Sequence, residues 1–130
     1  MSDNTDGTYR EFLLDHYKNP KNKGKIITAD ISKKDSNPLC GDEIEIAIKL
    51  DDKRKNIEEI KFDGNGCVIS MACASILAEY LEGKSIAEAS NISREDFLSM
   101  LELNLTPTRV KCAMLALNTM KKGIIEYKSK

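Results

Sequence analysis

The sequence predicts an α+β fold, in which a small three-stranded antiparallel sheet is covered on one face by helices. Four large apolar residues, at 44, 46, 48 and 50, alternate with Glu43, Glu45, Ala47 and Lys49, which is the period of a strand with one buried face. Residues 71–81 are apolar almost all round and end at Gly83, which is typical of a buried helix. A sheet followed by helices is the layout that these two patterns indicate.

The first element is predicted to be a helix over residues 9–18. Thr8 and Glu11 form a capping-box pattern, in which each side chain satisfies an orphan amide of the other residue. Pro20 and Gly24 should end this helix, because proline cannot continue the hydrogen-bond ladder.

Three strands should follow. Residues 44–50 form the clearest strand, 51–56 a polar connection, and 57–62 the returning strand. The spacing of Ile27 and Ile31 predicts a third, weaker strand over residues 27–31.

Two short helices and one last, longer helix should follow the buried helix. Ser85 and Glu88 form another capping box, and Ser93 with Asp96 a weaker one, which predicts short helices over 86–90 and 94–103. A last helix should run from about 106–108 to 125. Because no repeat or linker divides the chain, we expect one domain over 1–130, with 1–7 disordered.

The overall composition excludes several classes of protein. Twenty basic and 21 acidic residues among 130 give a net charge of -1, which argues against nucleic acid or an anionic membrane as the main partner. The chain lacks a long apolar run and its start lacks a signal-peptide pattern, so we expect a cytoplasmic protein. In that reducing compartment the four cysteines should bind metal or react rather than form disulfides.

Three cysteine-bearing segments offer ligands for a metal. Cys40, Cys67 and Cys112 supply thiols and Asp42 a carboxylate, each beside a turn or a predicted helix start, and four such groups can complete a tetrahedral shell. Three thiolates and a carboxylate around a divalent cation leave a charge of about -2, which is costly to bury. Two basic residues near the last cysteine, Arg109 and Lys111, are the predicted compensation.

Spacing alone does not decide between a shared site and separate thiols. The three cysteines are 27 and 45 positions apart, which matches no local metal motif, so three unconnected buried cysteines are an equal alternative. Cys73 should pack in the core, because six helical residues rotate it away from Cys67. His16 is expected to be a structural or surface residue.

Several ordered motifs together raise the odds of a shared site. They are YREFLLDHYKNPKNKG at 9–24, NPLCGD at 37–42, GNGC at 64–67 and RVKCA at 109–113. With them the chain closely resembles the NifU, IscU and SufU family of iron-sulfur cluster assembly proteins, from about residue 9 to 122.

The resemblance implies a function and a set of partners. It implies that Cys40, Asp42, Cys67 and Cys112 hold zinc or a transient [2Fe-2S] cluster, with sulfur supplied by a cysteine desulfurase and clusters passed to recipient apo iron-sulfur proteins. It also implies the IscU/SufU-like fold. Such a protein is a scaffold or a zinc-dependent sulfurtransferase rather than a conventional turnover enzyme.

The chain mixes features of two branches of the family. Lys111 stands where IscU proteins typically have histidine, while Arg109 and the CVISMA segment at 67–72 resemble SufU proteins. The 45-position gap between the last two site cysteines is too short for the extra segment that SufU proteins usually carry there. Residues 105–109 match only in part the segment by which IscU proteins engage a dedicated heat-shock chaperone, which gives weak grounds for that partner.

Two persulfide acceptors and two other functions stay open. Cys40 is the predicted acceptor if the chain acts like SufU, and Cys112 if it acts like IscU. A structural zinc-binding interaction module without sulfur transfer is the alternative function. A zinc hydrolase is a weak third reading, because the sequence lacks a histidine-rich site.

Overall fold

The structure, a computed structural model, describes residues 7–37, 41–101 and 107–129. Its elements in chain order are α1 (Gly7–Lys18), β1 (Ile31–Asn37), β2 (Asp42–Leu50), β3 (Ile57–Asn65), α2 (Val68–Leu81), α3 (Ile86–Ser90), α4 (Arg94–Leu101) and α5 (Pro107–Lys128). The strands form one antiparallel sheet in the order β1-β2-β3. Helix α5 packs on β1 and β2, α2 packs on β3 and α5, and α1 packs on α2. The predicted α+β class is confirmed.

The core lies between the sheet and helices α2 and α5. The apolar residues of β2 that the alternating pattern singled out are all 5% exposed or less: Ile44, Ile46, Ile48 and Leu50. Helix α2 is buried over most of its length, as its all-apolar pattern predicts. Each large aliphatic side chain buried in this way contributes about 1.5–3 kcal/mol. The packing of α2 and α5 on the sheet fixes the start of β2 relative to the starts of these two helices.

The prediction of the weak strand was wrong. The strand does not cover 27–31 but begins at Ile31, and Ile27 is fully exposed at 101%. Strand β1 lies at the sheet edge, and its register pairs Ile31 with Ile48 and Asn37 with Asp42. Backbone pairing with β2 therefore defines β1, and its mostly polar side chains carry little of that signal.

The segment after α1 covers the free edge of β3. The amide of Phe62 donates to the carbonyl of Asn22 and the amide of Gly24 donates to the carbonyl of Phe62, both at 2.9 Å. The buried side chain of Asn22 donates to the carbonyl of Ile60 at 3.0 Å. An edge covered in this way is protected from pairing with another chain.

The helix ends agree with most of the sequence signals. Ser85 and Glu88 form the predicted capping box, and Ser93 and Asp96 exchange the equivalent two hydrogen bonds. Helix α1 ends at Lys18 as predicted, while α5 continues to Lys128, past the predicted end at 125.

Other helix predictions fall partly outside the described residues. The predicted end of a helix at 103 and residues 1–6 of the predicted disordered start lie there. Helix α1 begins at Gly7, two residues before its predicted start, so Thr8 lies inside the helix and is not the N-cap that the capping-box pattern with Glu11 predicted. No described helix combines the length and the apolar character needed to cross a membrane.

Candidate metal centre

Three of the predicted ligands lie where elements begin. Asp42 is the first residue of β2, Cys67 is the N-cap of α2, and Cys112 lies in the second turn of α5. The register pairs Glu43 with Asn65, so the start of β2 lies beside the end of β3, two residues before Cys67. Because α5 packs against both α2 and β2, Cys112 reaches the same end of the sheet.

The ligand atoms of these three residues are close enough to share one ion. A carboxylate oxygen of Asp42 and the Sγ atoms of Cys67 and Cys112 all lie within 4.8 Å of one another. Cys67 Sγ is 3.7 Å from Asp42 Oδ2. Metal–ligand bonds of about 2.0–2.3 Å in a tetrahedron place two ligand atoms roughly 3.6 Å apart. Both the donor types and their separation therefore fit zinc or iron.

The predicted fourth ligand, Cys40, lies outside the described residues. Gly41, which follows it, has φ of +70°, a conformation that glycine adopts without steric cost. The chain therefore turns at Gly41, immediately before Asp42.

The Cys67 side chain caps the start of helix α2. As the N-cap of α2, it accepts a hydrogen bond from the amide of Ser70, with the nitrogen 3.4 Å from Sγ. The sulfur therefore lies at the positive end of the α2 dipole. Cys67 is also only partly buried, so its sulfur can be reached from solvent.

Asp42 is a buried carboxylate that the loop before α2 holds in place. It is 1% exposed, and its Oδ1 accepts the Cys67 amide at 2.9 Å while its Oδ2 faces the Cys67 sulfur. A buried carboxylate needs such partners, because removing it from water is otherwise costly. One oxygen is therefore fixed and the other is available to an ion.

Gly66 makes this close approach possible. A Cβ atom at Gly66 would lie 2.5 Å from Ser70 Oγ and 2.9 Å from Asp42 Oδ1. Any other residue would have to displace one of these two side chains. The GNGC segment thus needs glycine before Cys67 for a steric reason.

Arg109 and Lys111 are both exposed on the first turns of α5. Arg109 precedes Cys112 by three positions, and residues at this spacing are neighbours on one helix face. Lys111 instead lines a surface cleft together with Asp35 and Lys122. Their role in balancing the charge of a metal centre stays a prediction.

Cys73 and His16 are not among the clustered ligand residues. Cys73 is fully buried in the core, and burial, with a smaller contribution from nearby Cys67, raises the pKa of its thiol to about 12. The predicted packing role of Cys73 is confirmed. His16 Nδ1 lies 2.8 Å from Ser75 Oγ and 3.4 Å from Glu79 Oε2, so it joins α1 to α2 as a structural residue.

Two residues of the site were missed from the sequence. Ser70 contacts the Cys67 sulfur through its amide, and Gly66 admits the Asp42 carboxylate. Ser70 stands three positions after the helix N-cap, the position whose amide a capping side chain bonds, so a capping search at Cys67 would have found it. Nothing local signals the role of Gly66, because Asp42 is 24 positions away.

The fold and the cluster define a class of small α+β domains that present cysteine and aspartate at the junction of a sheet with two helices. A model of the family described as NifU-like N terminal domain matches residues 8–130. The chain belongs to this family.

Two curated relatives match nearly the whole chain. It is 36% identical to the zinc-dependent sulfurtransferase SufU of Bacillus subtilis, over 93% of this chain and 92% of the relative. It is 38% identical to the iron-sulfur cluster assembly scaffold protein IscU of Haemophilus influenzae, over 94% of this chain and 97% of the relative. Both branches that the motifs suggested are thus represented among its homologues.

Solved structures share the fold. A putative iron-sulfur cluster assembly scaffold protein for the SUF system from Fervidobacterium islandicum has a TM-score of 0.74 at 28% identity, covering 88% of this chain and 94% of that chain. The N-terminal part of a NifU-like protein from Brucella abortus has a TM-score of 0.75 at 16% identity, with 94% and 95% covered, and shows the fold alone.

Proposed function

We propose that this protein acts in iron-sulfur cluster assembly in the cytoplasm, where it accepts persulfide sulfur from a cysteine desulfurase. It then either assembles a transient [2Fe-2S] cluster for recipient apo proteins or relays the sulfur. The convergence of Asp42, Cys67 and Cys112 to within 4.8 Å is the observation that supports this most. The homologues support it too, since they include a scaffold and a sulfurtransferase.

The proposed ligands are Cys40, Asp42, Cys67 and Cys112, with zinc as a resident ion or iron as part of the cluster that is carried. A bound divalent ion holds coordinated thiols in the thiolate form that nucleophilic attack requires. The fold itself places the Cys67 sulfur at the start of α2, where it accepts a hydrogen bond from the Ser70 amide. Arg109 and Lys111 are proposed to offset the negative charge of the centre.

The sulfur step needs no external oxidant or reductant. A thiolate of this protein attacks the terminal sulfur of the donor persulfide, a new S–S bond forms, and the S–S bond of the donor breaks as its cysteine leaves as a thiolate. The candidate acceptors are Cys40 and Cys112. Since Cys112 is only 4% exposed, it has to be uncovered first.

Asp42 is the proposed ligand that would be released when the acceptor thiol is uncovered. A carboxylate oxygen suits a thiolate-rich, soft site less well than sulfur does. If a metal ion were held here, Oδ2 would be the oxygen that faces it, while Oδ1 accepts the hydrogen bond from the Cys67 amide.

One experiment tests the proposal directly. The protein is incubated with the cysteine desulfurase of the same organism and cysteine, with and without iron, and the added sulfur is located by mass spectrometry. We expect it on Cys40 or Cys112, with a coloured iron-dependent product if the protein is a scaffold. Cys73→Ala is the matched control, because Cys73 is buried in the core and is not one of the proposed ligands, so its loss should not change the result.

A structural zinc module is the second candidate. The burial of Asp42 and Cys112, at 1% and 4% exposure, favours a closed four-ligand site of the structural kind. Such a module would bind zinc yet neither stimulate the desulfurase nor gain sulfur, which separates it from the first proposal.

A further inference from the structure

A surface cleft of about 290 Å³ lies between the end of β1, the start of α4 and the first turns of α5. Among the described residues, three cationic side chains line it, those of Arg94, Lys111 and Lys122, together with the carboxylate of Asp35. Val110 and Met114 give the cleft an apolar part. It therefore combines positive charge with an apolar surface.

The positive charge of the cleft exceeds its negative charge. Asp35 is matched by Lys122, whose Nζ lies 2.7 Å from Asp35 Oδ2, and this hydrogen bond is the first cause of the lowered pKa of Asp35. Arg94 and Lys111 are exposed, and their side chains form no ion pair with another residue of the described chain. Two cationic side chains without an ion-pair partner among the described residues thus face one cleft, in a protein whose net charge is -1.

The cleft adjoins the candidate metal centre through two of its residues. Lys111 directly precedes Cys112 on α5, and Asn37 pairs with Asp42 across β1 and β2. A molecule bound in the cleft would therefore lie beside two of the proposed ligands. Its position suits a partner that exchanges sulfur at this centre.

We propose that the cleft docks an acidic segment of the cysteine desulfurase, with carboxylates paired to Arg94 and Lys111 and an apolar side chain against Val110 and Met114. This proposal rests on the proposed function, since it names where the sulfur donor binds. Complementary charge at such a surface speeds encounter and fixes orientation. Two cations are too few for a nucleic-acid groove, which needs many phosphate contacts.

The test compares two charge reversals of equal size. Arg94→Glu alters the cleft, and Lys53→Glu alters an exposed residue of the β2–β3 connection. Arg94 is the first residue of α4, where an acidic side chain suits the helix dipole, so the fold should be retained. Affinity for the desulfurase is measured by calorimetry, and zinc content is measured for both variants.

We expect Arg94→Glu to weaken desulfurase binding about tenfold or more at low salt, with a smaller loss at high salt, and Lys53→Glu to change it less than about twofold. Zinc content should equal that of the wild type in both. Equal weakening by the two variants, or none by Arg94→Glu, would overturn the docking site.

If the wild type does not bind the desulfurase, that result refutes the proposed function. A second experiment then still tests the docking site. A hexaglutamate peptide is titrated into the isotope-labelled protein and followed by nuclear magnetic resonance. Shifts confined to the cleft and lost in Arg94→Glu support acidic-segment binding. No shifts, or the same shifts with inorganic phosphate at equal concentration, overturn it.

Discussion

The backbone amide of Cys67 donates a hydrogen bond to Asp42 Oδ1 at 2.9 Å, and the sulfur of the same cysteine lies 3.7 Å from Asp42 Oδ2. One carboxylate thus does two things: it fixes the loop that carries a thiol, and it presents an oxygen beside that thiol. Removing the carboxylate changes both the ligand set and the loop. The first prediction separates the two effects.

Asp42→Ala and Asp42→Asn should both lengthen the lifetime of a reconstituted cluster, because each removes the anionic oxygen that is proposed to let go of the metal. Asp42→Asn keeps an oxygen for the Cys67 amide, so it should unfold at a higher temperature than Asp42→Ala. The decay of the visible absorbance measures the lifetime. Faster decay in both variants would contradict the role of Asp42 as the labile ligand.

Gly66→Ala should lower zinc affinity by about 10–100-fold, the usual effect of disturbing the residues that orient a ligand. The added Cβ would lie 2.5 Å from Ser70 Oγ and 2.9 Å from Asp42 Oδ1, so one of them must move. Competition with a chromogenic chelator measures the affinity. Asn65→Ala, at the exposed residue just before Gly66, is the control and should bind zinc like the wild type.

Cys73 should resist alkylation at pH 8 in the folded, metal-free protein, while Cys67 reacts. Burial raises the pKa of the Cys73 thiol to about 12, which leaves about one thiol in ten thousand ionised at that pH. Peptide mass spectrometry after timed exposure to iodoacetamide gives the two rates. Equal alkylation rates for Cys73 and Cys67 in the folded state would show that Cys73 is not in the core. As a control, unfolding the protein in urea should make Cys73 reactive.

Because of Asp30, the free energy of unfolding should decrease at acid pH. Its Oδ2 accepts the amide of Leu50 and its Oδ1 pairs with Arg54, and the Leu50 bond is the main cause of its lowered pKa. A carboxyl group whose pKa is lowered in the folded state stabilises the fold at pH values above its ordinary pKa of 3.8. This stabilisation is lost as the pH falls through the folded-state pKa.

Asp30→Asn should therefore lose about 1–2 kcal/mol of unfolding free energy at pH 7, and the gap to the wild type should shrink below pH 3.8. Urea unfolding at pH 7 and pH 3 measures both values. Asp52→Asn, on the exposed connection between β2 and β3, is the control and should match the wild type at either pH. A gap that stays constant with pH would argue against Asp30 as the titrating group.

Local patterns predicted most elements because the signal and the structure share one stretch of chain. The alternation at 44–50 is visible without any partner, and so is the exchange between Ser85 and Glu88. Strand β3 runs on to Asn65, beyond the predicted end at 62, because its last residues pair with β2 even though their composition suggests a turn. The predicted position of strand β1 was wrong for the same reason, because its pairing with β2 defines where it begins and ends.

The sequence by itself determined the family, the α+β class and the identity of the candidate ligands, since motifs and periodicity are properties of short segments. Only the tertiary structure decided that Asp42, Cys67 and Cys112 approach within 4.8 Å, that Gly66 leaves room for the carboxylate, and that Lys111 faces a cleft. These relationships join residues tens of positions apart, and the packing of α2 and α5 on the sheet sets their distances. No local pattern can encode a distance of that kind, because it depends on how separate elements bury their apolar faces together.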